Sequence, residues 1–272
     1  VVSIHKTLGS LTQSSIILTK GININAERLR STLNILNSTS PSSLLIASLD
    51  VARKNIYFNG KEKIENIIKL AKKARKLINE IPGIKAITPD YFLKQGASGY
   101  DQTKVLIKVS DLGVSGFEIY KEIREDFNIQ LELAETHLVL AILTPGTTNQ
   151  DIDNLVFALL KISEKYFHQK LEPIKPKLKM QSPDYYMRPR EAYHGYKKFV
   201  TWEEAIGEVS AESIMVYPPG IPIVIPGEVI SEEIIEALKD YEKSGSTILS
   251  DTGERKIKVV DLEKSGWEED DI

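Results

Sequence analysis

The 272-residue sequence contains no cysteine, which excludes a disulfide framework, thiolate nucleophiles and thiolate-bound metals. Its four histidines include no pair at metal-ligand spacing, so no metal site is expected. Charge of one sign is not in excess. The formal net charge is −3, and nothing global suggests a nucleic acid or an anionic membrane as partner. No apolar run approaches the length of a membrane-spanning helix, so a cytoplasmic protein is expected. No repeat of 20–50 residues, Gly-x-Gly-x-x-Gly turn or Walker loop is visible. The 42% of hydrophobic residues suffices for one large or two small domains with real cores.

What is present begins at the first residues. Residues 1–15 read Val-Val-Ser-Ile-His-Lys-Thr-Leu-Gly-Ser-Leu-Thr-Gln-Ser-Ser. An apolar pair leads to Lys6, which sits between His5 and a run of hydroxyl residues and glycine. Lysine is costly to bury unless it has a partner or a reaction to perform. It is also the residue that forms a Schiff base with pyridoxal phosphate. Ser3, Thr7, Ser10 and Thr12 offer short hydroxyls for a phosphate, His5 offers a ring donor, and Gly9 lets backbone approach closely. The same residue types suit an ordinary solvated loop, so the stretch by itself leaves both readings open.

Farther along, residues 14–19 predict a short buried strand. Asn25 predicts a cap for a helix over 26–37, with Leu29, Leu33 and Leu36 at helical spacing. Ser40 before Pro41 predicts another helix start. Asp50 and Arg53 fit a solvated i,i+3 pair. Residues 61–81 predict a long amphipathic helix, with Ile64, Ile67, Ile68, Ala71, Ala74, Leu77 and Ile78 on one stripe and the basic run 69–76 facing solvent. Pro82 and Gly83 end it.

From Ile84 the period changes. Strands are predicted over 84–88, 103–109, 129–133 and 138–144. A helix is predicted from the Ser115/Glu118 capping box to Phe127, and another from Asp151 to Phe167. His137 fits a structural or interface histidine. Residues 169–190 read as a Pro- and Lys-rich linker with a tyrosine pair. Thr201 and Glu204 form a second capping box. Ser231 predicts the cap of a helix to Lys243 that Gly245 ends. The acidic tail, 268–271, is expected to fray.

Three segments carry a resemblance. Residues 3–15 resemble the cofactor-lysine segment of the Orn/Lys/Arg decarboxylases, Ser-x-His-Lys followed by Leu and a Thr/Ser-Gln pair. Residues 39–53, Thr-Ser-Pro-Ser-Ser-Leu-Leu-Ile-Ala-Ser-Leu-Asp-Val-Ala-Arg, are similar to that family's Thr-Ser-Pro-Ser-x-x-Leu-x-Ala-Ser-Leu-Asp-x-Ala-Arg helix. Residues 210–228, Ser-Ala-Glu-Ser-Ile-Met-Val-Tyr-Pro-Pro-Gly-Ile-Pro-Ile-Val-Ile-Pro-Gly-Glu, are similar to its Ser-Ala-Glu-x-x-x-x-Tyr-Pro-Pro-Gly-Ile-Pro-x-x-x-Pro-Gly-Glu. The last stretch sets this family apart from aminotransferases of the same cofactor fold.

The resemblance covers essentially the whole chain but only the C-terminal half of such an enzyme. It implies an α/β fold: the end of a PLP-binding, transferase-like large domain (1–83), a small α/β domain (84–168), a linker (169–190) and a C-terminal α+β domain (191–272). It implies pyridoxal 5′-phosphate as cofactor, with Lys6 as Schiff-base lysine, Ser3 and His5 as cofactor contacts, and His5 also as a candidate proton donor. Glu228 ends a proline-stiffened turn and is the candidate for the distal cation of a basic amino acid; an acid near the helix start at Ser231 is its other reading. The implied reaction is decarboxylation, of arginine first and of lysine or ornithine as alternatives, in polyamine biosynthesis. The family's partner for the pyridine nitrogen lies upstream of the lysine. A chain supplying an N-terminal half, a homo-oligomer, or both are therefore expected. A non-catalytic or regulatory subunit of a decarboxylase assembly is the competing reading.

Overall fold

The computed structural model describes residues 1–169, 171–173, 183–217, 220–243, 245–253 and 255–265. The expected acidic tail, Pro218 and Pro219, and residues 170 and 174–182 of the linker lie outside these. The chain is mixed α/β and divides into two compact units. One comprises Val1–Leu77, Thr88–Val105 and Ile142–Val156; the other comprises Ile78–Ile87, Leu106–Ala141 and the described part of Phe157–Ile272.

The first unit opens with α1 (Ile4–Thr7), followed by α2 (Ala26–Leu36). The Asn25 side chain accepts a hydrogen bond from the Arg28 amide at 2.9 Å, as its cap position requires. The strand expected at 14–19 does not form. Only Ile16 pairs, in an isolated bridge with Val2, and Leu18 is 75% exposed. An apolar run becomes a strand when a neighbour takes its backbone groups, and beyond Ile16 none of the described residues does.

The two helices expected around 40–81 are one, α3 (Ser43–Ile78). Its first turn rests on Ser42 rather than Ser40: the Leu45 amide donates to Ser42 Oγ at 3.4 Å and the Ile46 amide to the Ser42 carbonyl at 3.1 Å. Gly60 is buried within α3 without breaking it. Of the expected inner stripe, Ile67, Ala71, Ala74 and Ile78 are buried, Ile68 and Leu77 are half-buried, and Ile64 is 40% exposed; Leu70, which was not expected there, is buried beside them. The basic run departs from expectation at one residue. Arg75 is buried and donates from Nη2 to the carbonyls of Gln102 (2.9 Å) and Lys104 (2.7 Å), with its guanidinium over the Tyr100 ring. A planar fork that meets two carbonyls can be buried where a lysine could not.

A four-stranded sheet follows in the order β1 (Lys85–Ala86), β2 (Lys104–Lys108), β4 (Leu138–Ile142), β3 (Leu133–Ala134). The strand expected at 129–133 is thus shorter and displaced toward the hairpin turn. Between β1 and β2 lies α4 (Pro89–Lys94), announced by Thr88 and a proline in the first helical turn. The Ser115/Glu118 box is fully formed at the start of α5 (Gly116–Phe127). Gly116 there meets the β3–β4 turn so closely that a Cβ would lie 2.1 Å from the Glu135 carbonyl oxygen. Burial pushes the Glu135 carboxyl upward, and neighbouring His137 opposes the shift. The helix expected to start at Asp151 begins two residues earlier: α6 (Asn149–Phe167) follows Thr148, whose amide and hydroxyl both donate to the Asp151 carboxylate at 2.8 Å.

The C-terminal elements are α7 (Pro189–His194), β5 (Lys197–Thr201), β6 (Ile214–Tyr217), β7 (Ile221–Val224), α8 (Glu232–Lys243), β8 (Thr247–Leu249), β9 (Lys256–Val260) and α9 (Leu262–Ser265). The strands form two antiparallel sheets, β5-β9 and β7-β6-β8. Trp202, Ile214, Ile230, Ile235, Leu238 and Ile257 share one buried cluster. Each such side chain contributes on the order of 1.5–3 kcal/mol on burial. Thr201 and Glu204 exchange their capping bonds, but only turns follow them.

Candidate functional site

The Lys6 stretch is a closed loop. Val2 and Ile16 exchange two backbone hydrogen bonds, at 2.8 and 3.0 Å, so residues 3–15 are pinned at both ends. Within the loop, Ile4 is the one buried apolar anchor, and Ser3 caps α1, whose single turn carries His5 and Lys6. The Lys6 amide donates to the Ser3 carbonyl at 3.1 Å. The Lys6 side chain stands on the exposed side, while His5 is half-buried.

His5 is oriented from below. Its Nδ1 lies 2.9 Å from the Ser14 carbonyl oxygen. A carbonyl only accepts, so Nδ1 carries the proton and Nε2 points away from the anchor. Ser14 is buried and is the hub of the loop. Its hydroxyl donates to the Leu11 carbonyl at 2.5 Å and accepts from the Ser10 hydroxyl at 2.6 Å. The Leu11 amide in turn donates to Ser48 Oγ at 3.2 Å, tying the loop to α3. Gly9 adopts φ +85°, and a Cβ there would meet nothing within 4 Å, so its role is the left-handed turn rather than a close approach. Ser14 and Ser48 escaped the sequence reading. The Ser48 hydroxyl is taken by a segment 37 residues away, which its local pattern does not report, and the Ser14 hydroxyl closes an irregular loop that carries no periodic signal.

The donor set fits pyridoxal phosphate in kind. It has a primary amine on an exposed turn, a ring nitrogen of fixed tautomer beside it, and hydroxyls of Ser3 and Thr7 on the same turn. Thr7 Oγ1 donates to the Ser3 carbonyl at 3.3 Å.

Glu228 lies in the second unit. Its turn is heavily stitched: the Gly227 amide donates to the Ser210 carbonyl at 2.8 Å, and the Tyr186 and Met187 amides donate to the Gly227 carbonyl at 2.9 and 3.2 Å. Glu228 Oε2 accepts from the Ile225 amide at 2.8 Å, and Oε1 takes no hydrogen bond among the described residues. The carboxylate therefore braces the turn with one oxygen. The acids in the first turn of α8 are Glu232 and Glu233, and a side-chain hydrogen bond from Ser231 holds Glu233 below the usual carboxylate range.

Glu212, in the same Ser-Ala-Glu stretch, is the residue that sequence reasoning missed. It is 2% exposed, and its carboxylate accepts from the amides of Asp251 (2.5 Å) and Lys258 (2.6 Å) and from Thr252 Oγ1 (3.1 Å). It clamps the entry of β6 to the β8–β9 connection, upstream of the 217–228 segment. Among the described residues no group of three or more His, Asp or Glu side chains could hold a metal ion, and no helix is long and apolar enough to cross a membrane.

Comparison with known proteins places both halves of this geometry in one family. Residues 1–151 match the Orn/Lys/Arg decarboxylase major domain, and residues 173–248 match the Orn/Lys/Arg decarboxylase C-terminal domain. The arginine decarboxylase of Bacillus subtilis is 41% identical over 238 residues, covering 86% of this chain and 48% of that protein. That of Halalkalibacterium halodurans is 37% identical over 244 residues, covering 89% of this chain and 50% of that protein. The chain thus spans about half the length of these relatives. Among solved structures, the Francisella novicida lysine decarboxylase has the same fold over 95% of this chain and 48% of its own, with a TM-score of 0.74 at 24% identity. The closed lysine loop and the braced Pro-Gly-Glu turn are accordingly parts of one known architecture, and the chain belongs to the Orn/Lys/Arg decarboxylase family.

Proposed function

We propose that this chain is the lysine-bearing part of a cytoplasmic, pyridoxal phosphate-dependent decarboxylase of a basic amino acid, with arginine as substrate and agmatine as product. The single observation that carries the reading is the pinned loop in which His5 and Lys6 share one turn. The arginine decarboxylases among the relatives support the choice of substrate. In this reading residues 1–83 end the cofactor-binding domain of the aspartate-aminotransferase-like fold, 84–168 form the small domain, 169–190 link, and 191–272 form the C-terminal domain.

When bound, the cofactor supplies an electron-accepting ring and an aldehyde for a primary amine. Lys6 is the amine that holds it. Ser3 offers its hydroxyl to the cofactor from the residue that receives the Lys6 amide. His5 has Nε2 directed away from Ser14, where the nitrogen can receive or return a proton. Glu228 meets the guanidinium with the oxygen that the turn leaves unused, a charge-assisted contact held on a stiff frame. The chain acts together with a polypeptide half that supplies the remaining cofactor contacts, in an oligomer.

The test is borohydride reduction of the cofactor-loaded assembly followed by peptide mapping. The pyridoxyl group is expected on Lys6, and Lys6→Ala is expected to abolish labelling and turnover together. Label on any other lysine overturns the assignment.

A further inference from the structure

Within the Lys6 loop, the turn over residues 11–14 is closed by a side chain. Among the described residues its two ends share no backbone hydrogen bond. The Ser14 hydroxyl donates to the Leu11 carbonyl instead, at 2.5 Å. Gln13, the third residue of the turn, adopts φ +71°. Glycine suits that conformation, and a glutamine in it is strained. Asn128 shares the left-handed region, but it ends α5, where such a residue is common. Gln13 ends no helix, and its side chain is exposed. Strain of this kind persists only where the surroundings hold it. Ser14 is the holder. It is 3% exposed, its hydroxyl hydrogen is committed to Leu11, and its oxygen accepts from the Ser10 hydroxyl at 2.6 Å.

The main chain of the same residue serves His5, whose Nδ1 lies 2.9 Å from the Ser14 carbonyl oxygen. Two residues on, Ile16 is paired with Val2. The Ser14 carbonyl thus lies between two fixed points, the strained turn and the bridge.

We propose that Ser14 is a positioning residue for His5. Its hydroxyl locks the left-handed turn at Gln13, and the locked turn presents the Ser14 carbonyl to Nδ1. That carbonyl selects the tautomer with the proton on Nδ1 and leaves Nε2 as an acceptor. The bonds that the ring nitrogens make set the tautomer of an imidazole, and a histidine without this partner favours the proton on Nε2. With the hydroxyl removed, Gln13 relaxes toward negative φ and the next carbonyl swings off the ring. The use of Nε2 in turnover rests on the reading that Lys6 holds the cofactor; the tautomer does not.

The test is nitrogen-15 NMR of ring-labelled histidine in the full chain, in the assembly in which it purifies, at a pH above the imidazole range. His5→Asn identifies the His5 signals. The unmodified protein should carry the proton on Nδ1. Ser14→Ala should shift the tautomer ratio toward Nε2 by roughly tenfold or more, and Ser14→Thr, which keeps the hydroxyl, should restore the unmodified pattern. Gln13→Gly should leave the tautomer alone, because glycine takes the turn freely, whereas the β-branched Gln13→Val should act like Ser14→Ala. Ile4→Ala removes the buried anchor of the loop without touching the clamp. It should lower the unfolding midpoint and leave the tautomer unchanged.

A proton on Nε2 in the unmodified protein overturns the proposal, and so does an unchanged tautomer in Ser14→Ala. A shift in Ile4→Ala as large as that in Ser14→Ala also overturns it, since loosening of the loop then accounts for both. Should Ser14→Ala fail to fold, the Gln13 pair carries the test, and equal tautomers in Gln13→Gly and Gln13→Val overturn the proposal. Release of carbon dioxide from arginine by the cofactor-loaded assembly reports separately on the functional reading. There kcat should fall about tenfold in Ser14→Ala, with KM little changed, and recover in Ser14→Thr. A shifted tautomer with unchanged kcat keeps the positioning of His5 and takes His5 out of the proton transfer. An inactive unmodified assembly fails the functional reading and leaves the tautomer result standing.

Discussion

The first 64 residues and the C-terminal region are built from similar amounts of apolar sequence and use it in opposite ways. In residues 1–64 only Ile4 and Ala52 belong to the buried apolar core, and α2 buries no residue at all. In the C-terminal region Trp202, Ile214, Ile230, Leu238, Ile257 and Val259 close on one another, and buried polar groups are met from several sides. Apolar composition is alike in the two, so it is burial, more than hydrophobicity, that separates a packed core from an exposed apolar surface. The C-terminal region should therefore respond sharply to substitutions inside it, and the N-terminal region should respond weakly.

The largest effect is expected at Glu212. Glu212→Ala removes a buried carboxylate from two backbone amides and a threonine hydroxyl. Leaving such donors unmet should cost about 3–5 kcal/mol. Urea unfolding followed by tryptophan fluorescence reads it directly, because both tryptophans lie in this half of the sequence. A loss under about 1 kcal/mol would mean that solvent reaches these amides and the region is not closed.

A glycine pair sharpens the contrast. Gly21 and Gly227 both adopt left-handed φ, +93° and +91°. A Cβ at Gly21 would meet nothing within 4 Å, whereas at Gly227 it would lie 2.1 Å from the Met187 carbonyl oxygen. Gly21→Ala should cost only the conformational strain, about 1–2 kcal/mol. Gly227→Ala adds a collision with backbone that cannot shift without breaking the turn, and should cost roughly 2 kcal/mol more. Equal losses at the two sites would remove the distinction between an open and a packed turn.

The same contrast decides what could be read from sequence. The Ser115/Glu118 box, the Asn25 cap and the Ser231 helix start were legible because each is completed within three or four residues. The Ile67–Ile78 stripe was legible because helical spacing and burial agree there. Residues 14–19 misled because a strand needs a neighbour, and a run of Ile and Leu does not say whether one exists. Arg75 misled because its carbonyl partners lie 27 and 29 residues away, and a basic run reads as solvated until they are seen. Of the candidate site, the adjacency of Ser3, His5 and Lys6 was legible, and so was the stiff turn that ends in Glu228. The clamp at Glu212 was not, since its partners lie 39 to 46 residues away; nor was the hub at Ser14, whose partners are three to nine residues away but share no helical or strand spacing.

The smallest effect is expected at the Asp50–Arg53 pair, where sequence similarity to the family and local structure pull in different directions. The residues fall in the Ser-Leu-Asp-x-Ala-Arg run that resembles the family's helix, which invites a functional role. In the structure Arg53 Nη2 lies 2.8 Å from Asp50 Oδ1, with the two side chains 61% and 66% exposed. Water competes for such a pair, salt screens it, and ordering two side chains opposes it. Arg53→Ala should therefore change stability by at most about 0.5 kcal/mol, measured by the same urea titration. Cofactor uptake by the assembled protein, followed by absorbance, should be unchanged. A loss above about 1 kcal/mol in the chain alone would show that the first half of α3 is more tightly built than its exposure indicates. Unchanged stability with weakened cofactor uptake would instead mean that Arg53 leaves Asp50 for a partner in the assembled enzyme, and this part of the N-terminal region would then belong to the site.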